Sequence, residues 1–224
     1  MNKKYKLING IVGIIVFAIS TWQYASTMES AGSLWDCGEF VSCVYKLQVA
    51  HPPGAPFFML LGRLFTLLNP ENPALMVNFM SALMSSLSVL FLYFTIVLVA
   101  KQLLTKEGDE LTIGSFIAML GAGTVGALAC SFSDTMWFSA VEYASSTFFI
   151  SIVLWAVVKW NDDADKPHAN RWLVFAAFMV GISLGVHLLS LLVIPIAVII
   201  YYFRKYNPSI IGFVVAFLIG FIFL

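Results

Sequence analysis

The sequence predicts an all-α integral membrane protein of about seven transmembrane helices, with two short surface helices in its first outer loop. Three observations predict it. Of 224 residues, 60% are hydrophobic and only 11% are charged, against roughly 25% charged in average soluble domains. The mean hydropathy is +0.91. Apolar runs of spanning length recur along the chain, and lysine and arginine collect in alternate connections between them. A formal net charge of zero leaves no nucleic-acid footprint. Residues 1–224 read as one multi-span module.

The elements follow in order. Met1-Asn2-Lys3-Lys4-Tyr5-Lys6 precedes an apolar run from Leu7 to about Tyr24. That beginning is like a signal peptide. No small-x-small cleavage site closes it, however, and more spans follow, so a retained first span is expected. Spans are expected over 7–27, 74–100, 112–132 and 142–160. The stretch 171–203 is too long for one span, and a hairpin of 171–187 and 189–203 fits it best. A last run, 209–224, ends at Phe221-Ile222-Phe223-Leu224 with no flanking polar residue. The chain is therefore expected to be the N-terminal part of a longer protein.

Charge orients this set. With a cytoplasmic N-terminus and seven alternating spans, ten of the twelve Lys and Arg residues fall inside, and only Lys46 and Arg63 fall outside. The same scheme gathers the unusual polar residues at the outer face. Asp36, Glu39, His51 and Arg63 lie in the first outer loop, Asp134 and Glu142 at the second outer turn, and His187 at the tip of the hairpin. The connections 101–110 and 161–166 read as ordinary solvated segments.

The first outer loop, 28–73, is long for a connector. Over 36–48, a helix puts Asp36, Glu39, Ser42, Cys43 and Lys46 on one side and Phe40, Val41, Val44 and Tyr45 on the other. That pattern suits a helix lying along a membrane surface. His51-Pro52-Pro53-Gly54-Ala55-Pro56 forbids helix and fixes a corner. Phe57 to Leu68 is too short to span and predicts a second surface helix. The cysteines, Cys37, Cys43 and Cys130, read as small residues outside any disulfide, and no Cys/His metal spacing occurs.

Each polar residue also has a purely structural reading. Asp36 can cap its helix, with Glu39 as a first-turn companion. His51 can belong to a rigid corner, Arg63 can reach lipid headgroups, Glu142 can sit at the interface, and His187 can be a satisfied buried histidine. Their convergence on one face favours the functional reading.

Four segments together resemble one family. They are Trp35-Asp36-Cys37-Gly38-Glu39-Phe40, Ala50-His51-Pro52-Pro53-Gly54-Ala55-Pro56, Phe138-Ser139-Ala140-Val141-Glu142-Tyr143 and Gly181-Ile182-Ser183-Leu184-Gly185-Val186-His187-Leu188-Leu189. The family is a large, mostly bacterial group of multi-span proteins related to the animal protein O-mannosyltransferases, within the GT-C glycosyltransferase superfamily. The chain departs from it where Glu142-Tyr143 passes straight to Ala144-Ser145-Ser146, a place where members often carry a longer acidic-aromatic stretch. The resemblance implies a GT-C-type glycosyltransferase in a bacterial inner membrane, with its active site on the outer face. Such an enzyme takes a mannose-like sugar from a polyprenyl-phosphate carrier and gives it to a hydroxyl acceptor, with Ser/Thr of exported proteins as one class.

That chemistry fits the residues. A carboxylate can take the acceptor's proton, and donor or cationic groups can receive the leaving phosphate. Asp36 is assigned as the base and Glu39 as an orienting or second acid group. His51, Arg63, Lys46, Glu142 and His187 are the substrate and phosphate contacts. No metal is demanded, although a carboxylate pair can hold one. The lipid bilayer, the lipid-linked donor and an exported protein or glycan acceptor are the expected partners. A multi-span transporter or a non-catalytic membrane assembly protein is the alternative. A transporter would place its charges near mid-span rather than at one interface.

Overall fold

The computed structural model of the protein describes residues 3–31, 36–52, 54–105, 111–142 and 145–222, without the side chains of 139, 141 and 142. The regular elements among them are helices. In order they are α1 (Lys3–Thr27), α2 (Cys37–Lys46), α3 (Pro56–Thr66), α4 (Pro73–Leu104), α5 (Ile113–Ser131), α6 (Asp134–Glu142), α7 (Ser145–Asp163), α8 (Arg171–Ser183), a 3₁₀ turn (Leu188–Leu192), α9 (Val193–Lys205) and α10 (Ile210–Phe221).

Among the described residues, four segments are long and apolar enough to cross a membrane: Lys3–Thr27, Pro73–Leu104, Ile113–Ser131 and Leu188–Lys205. The protein is a multi-pass membrane protein. The other three expected spans differ for identifiable reasons. α7 carries Lys159, Asp162 and Asp163 at one end and Ser145, Ser146 and Thr147 at the other. At 1.5 Å per residue, α8 and α10 reach only about 20 Å, short of a hydrocarbon core of about 30 Å.

α4 is the organising helix. Asn72 caps it by accepting the Leu75 N–H at 3.1 Å, and Pro73 opens it. Its 32 residues extend about 48 Å. On one side it meets α1 and α5 around buried Tyr24, Val89, Tyr93, Val97 and Met119. Small residues allow the approach. A Cβ at Gly123 would lie 2.6 Å from a Val97 methyl, and one at Gly13 would lie 2.8 Å from the Phe94 ring. Buried polar groups join the same helices. The Ser131 carbonyl accepts the Tyr24 hydroxyl at 3.0 Å, and the Ser131 hydroxyl bonds Ser20 at 3.0 Å. A separate core joins α7, α8 and α9 through Val153, Ala156, Val157, Ala176 and Val193.

The short helices α2 and α3, expected over 36–48 and 57–68, pack on the start of α4. Val44, Phe58, Met59, Val77 and Met80 form their core. Cys43, assigned to the polar face from sequence, is buried there instead, whereas Tyr45 is exposed. A Cβ at Gly62 would come within 2.9 Å of both Val44 methyls, which sets the closeness of α2 to α3. No disulfide links Cys37, Cys43 or Cys130.

The far ends of α4, α7 and α9 share an ion-pair network. Lys101 meets Asp162 at 2.6 Å, Lys159 meets Asp163 at 2.8 Å, Lys166 meets Asp163 at 2.6 Å, and Arg204 pairs with Asp165. The segment 161–166 is therefore a clamp between helices rather than a solvated connector. Burial pushes the Asp163 carboxyl up, but hydrogen bonds from Lys159 and Lys166 outweigh it and hold the group down at about 2.

Candidate functional site

A pocket of about 90 Å³ opens at the opposite end of the molecule. It is lined by Asp36, Cys37, Phe40, His51, Phe58, Ser145, Ser146, Val186 and His187. Four stretches build it: the entry to α2, the proline-rich corner, the turn after α8 and the start of α7.

The first is the entry to α2. Asp36 occupies the N-cap position, yet its side chain makes no capping hydrogen bond, so its carboxylate is not spent on the helix. Glu39 stands one turn on. Its Oε1 accepts the backbone N–H of His51 at 2.7 Å, and its Oε2 lies 3.0 Å from His51 Nδ1. The backbone bond, then the ring, hold the Glu39 carboxyl below its usual range. The bond to Glu39 raises His51, followed, after an opposing burial effect, by the charges of Glu39 and Asp36. With Nδ1 donating to Glu39, Nε2 keeps its lone pair. Phe40 meets the imidazole edge-on at 5.7 Å.

The second stretch is the proline-rich corner. The Gly54 N–H bonds the His51 carbonyl at 2.9 Å. Gly54 has φ +87° and Ala55 φ +42°, so two successive left-handed residues turn the chain into α3. Pro53 lies outside the described residues.

The third stretch follows α8. Gly185 offers its carbonyl to the Phe57 N–H at 2.7 Å and the Phe58 N–H at 3.3 Å, capping the start of α3. A Cβ at Gly185 would lie 2.9 Å from Phe57 Cβ. That contact delivers His187 to the pocket. His187 Nδ1 accepts the Leu189 N–H at 3.0 Å, so the ring proton resides on Nε2. Ser190 fastens the turn by bonding Ser183 at 2.8 Å and the His187 carbonyl at 2.7 Å.

Asp36, Glu39, His51 and His187 thus come together. Arg63 and Lys46 are not among the residues that line the pocket. Arg63 lies over the Tyr45 ring at 5.4 Å and donates to Thr66, and Lys46 ends α2 in solvent. The Glu142 side chain, and the sequence expectation attached to Ser33–Trp35, lie outside the described residues. Ser145 and Ser146 are new members. Each is buried, and the Ser145 hydroxyl has no hydrogen-bond partner among the described residues. Nothing in the local sequence marks a serine at the start of an apolar helix as a pocket residue.

One oxygen or nitrogen each from Asp36, Glu39 and His51 fall within 4.8 Å of one another. Such a donor set can hold a divalent cation of the oxygen- and nitrogen-liking kind. The arrangement offers a carboxylate, a carboxylate-supported imidazole and a neutral N–H donor around one cavity.

The sequence profile of the Protein O-mannosyl-transferase TMEM260 N-terminal domain matches residues 36–210, most of the chain. The chain belongs to this family. The TMEM260 N-terminal match begins at Asp36 and takes in every pocket-lining residue. Protein O-mannosyl-transferase tmem260 of Dictyostelium discoideum is 24% identical over 200 residues, 82% of this chain and 22% of its own length. Protein O-mannosyl-transferase TMEM260 of Mus musculus is 25% identical over 175 residues, 76% of this chain and 22% of its own length. The chain therefore spans about a fifth of each relative. No solved structure is significantly similar to it.

Proposed function

We propose that this chain is the catalytic membrane module of a GT-C-type glycosyltransferase. It moves a mannose-like sugar from a polyprenyl-phosphate carrier to a hydroxyl acceptor, with Ser/Thr of exported proteins as the acceptor class. One observation carries the reading: Asp36, uncommitted to capping, shares a cavity with the Glu39-supported His51 and the Nε2–H of His187. The names of the relatives support the same chemistry.

In this reaction the acceptor oxygen attacks the anomeric carbon, the bond from that carbon to the phosphate oxygen breaks, and the phosphate leaves as an anion. Asp36 takes the acceptor's proton. Glu39 orients His51, and donors on the cavity wall receive the charge that grows on the phosphate. The pocket faces outward and the ion-pair network faces the cytoplasm. The positive-inside asymmetry supports that orientation.

Asp36→Asn tests the assignment in the full-length protein with a polyprenyl-phosphate mannose donor. The Asp36 side chain makes no capping bond and Asn keeps its size, so the fold persists. Transfer is expected to fall about 10²-fold or more. A fully active variant removes Asp36 from the chemistry.

A further inference from the structure

We infer that Ser145 and His187 form the subsite for the carrier's phosphate, each donating a hydrogen bond to a phosphate oxygen. The inference rests on the transferase reading and adds buried Ser145 as partner to His187, which the sequence already offers as a substrate or phosphate contact.

Ser145 is 3% exposed and lines the pocket, yet its hydroxyl is unpartnered among the described residues. Buried hydroxyls are nearly always hydrogen-bonded, so an orphan on a residue that lines a cavity points to a ligand. His187 adds a second donor. Its Nδ1 is occupied as the acceptor of the Leu189 N–H, which leaves the proton on Nε2. The turn that holds it is fastened on both sides, by the Ser183–Ser190 hydroxyl bond and by the Gly185 carbonyl on the α3 amides. Two donors fixed on separate elements suit an oxyanion, and hydrogen bonds to an ionised oxygen are about twice as strong as neutral ones. Arg63, the cation that suits phosphate best, is engaged with Tyr45 and Thr66 and is not among the lining residues. The phosphate is thus met by neutral donors, which bind the leaving group without competing ion pairs to Asp36 and Glu39.

The test uses the full-length protein in nanodiscs and a short-chain polyprenyl phosphate bearing no sugar. Ser145→Ala is expected to weaken binding of this probe about fivefold to tenfold. Its thermal midpoint should be unchanged or higher, because an unsatisfied buried hydroxyl is removed. His187→Asn keeps an acceptor for the Leu189 N–H but loses Nε2–H, and should weaken binding similarly. Undiminished binding by Ser145→Ala overturns the inference, as does a lowered midpoint, which marks a structural serine. Failure of the unaltered protein to bind the probe, or weakening seen only when the sugar is attached, overturns it too. The two readings separate cleanly. Weakened probe binding in a protein that transfers no sugar sustains the subsite and removes the transferase. Normal transfer with unaltered probe binding in Ser145→Ala does the reverse.

Discussion

Glu39 holds His51 by two bonds, one to its main chain and one to its ring, and only the second depends on the state of the imidazole. Below its raised midpoint His51 is charged and paired; above it, the charge attraction is lost. Glu39→Gln keeps an acceptor for the backbone N–H but removes the negative charge. The His51 midpoint should then fall back toward 6.5, measured by NMR of the ring, and transfer should drop less than in Asp36→Asn. An unmoved midpoint would contradict the pairing. At this scale, the proximity of Asp36, Glu39 and His51 is legible because helical spacing and a proline corner are local signals. Ser145 is not, because its burial depends on elements distant in sequence. Arg63 has a charge that suits phosphate, but it lies over Tyr45 and is not among the residues that line the pocket.

Among elements, the contact between the α8 exit and the start of α3 governs the pocket. Gly185→Ala forces a methyl against Phe57 Cβ and lies 3.3 Å from the Ile182 carbonyl. Overpacking of this kind costs about 1–3 kcal/mol. The Phe57 and Phe58 amides should exchange faster with deuterium, and transfer should fall although no pocket side chain has changed. Wild-type exchange at both amides would show that the carbonyl cap is dispensable. The two short helices were readable from composition and the proline block, with ends at 37–46 and 56–66 instead of 36–48 and 57–68. Their ends shift because Leu47 and Ala55 adopt left-handed conformations that their residue types do not announce. The break at 184–187 was placed near its true position, but α8 stops at Ser183, leaving the loop free to reach α3.

For the whole molecule, Asp163 ties two lysines to the end of α7. Its folded carboxyl lies at about 2 against an ordinary 3.8. The stability it lends is fully present above the ordinary value and is lost as pH falls through the folded one. Asp163→Ala should cost about 1–3 kcal/mol at pH 7, since Lys166 loses its ion-pair partner and Lys159 keeps only Asp162 at 3.6 Å. The gap to the unaltered protein should close between about pH 4 and pH 2 in thermal melts, and a constant gap would refute the linkage. Sidedness is checked by single cysteines at Val49 and Asp165 in a cysteine-free background. An impermeant maleimide should label the first from outside and leave the second protected; the reverse pattern would overturn the orientation. Charge asymmetry along the sequence motivates this scheme, whereas the clamp is hidden from sequence because its partners come from three separate helices.

The length of α7 has an electrical consequence. Its 19 residues set Ser145 and Asp163 about 27 Å apart. Ions do not screen across packed protein and bilayer, but two unit charges at that separation interact by only about 0.6 kcal/mol at an effective dielectric of about 20. Salt or acid that dissolves the lysine–aspartate clamp therefore leaves the potential at the cavity nearly unchanged, and the two ends titrate as independent devices.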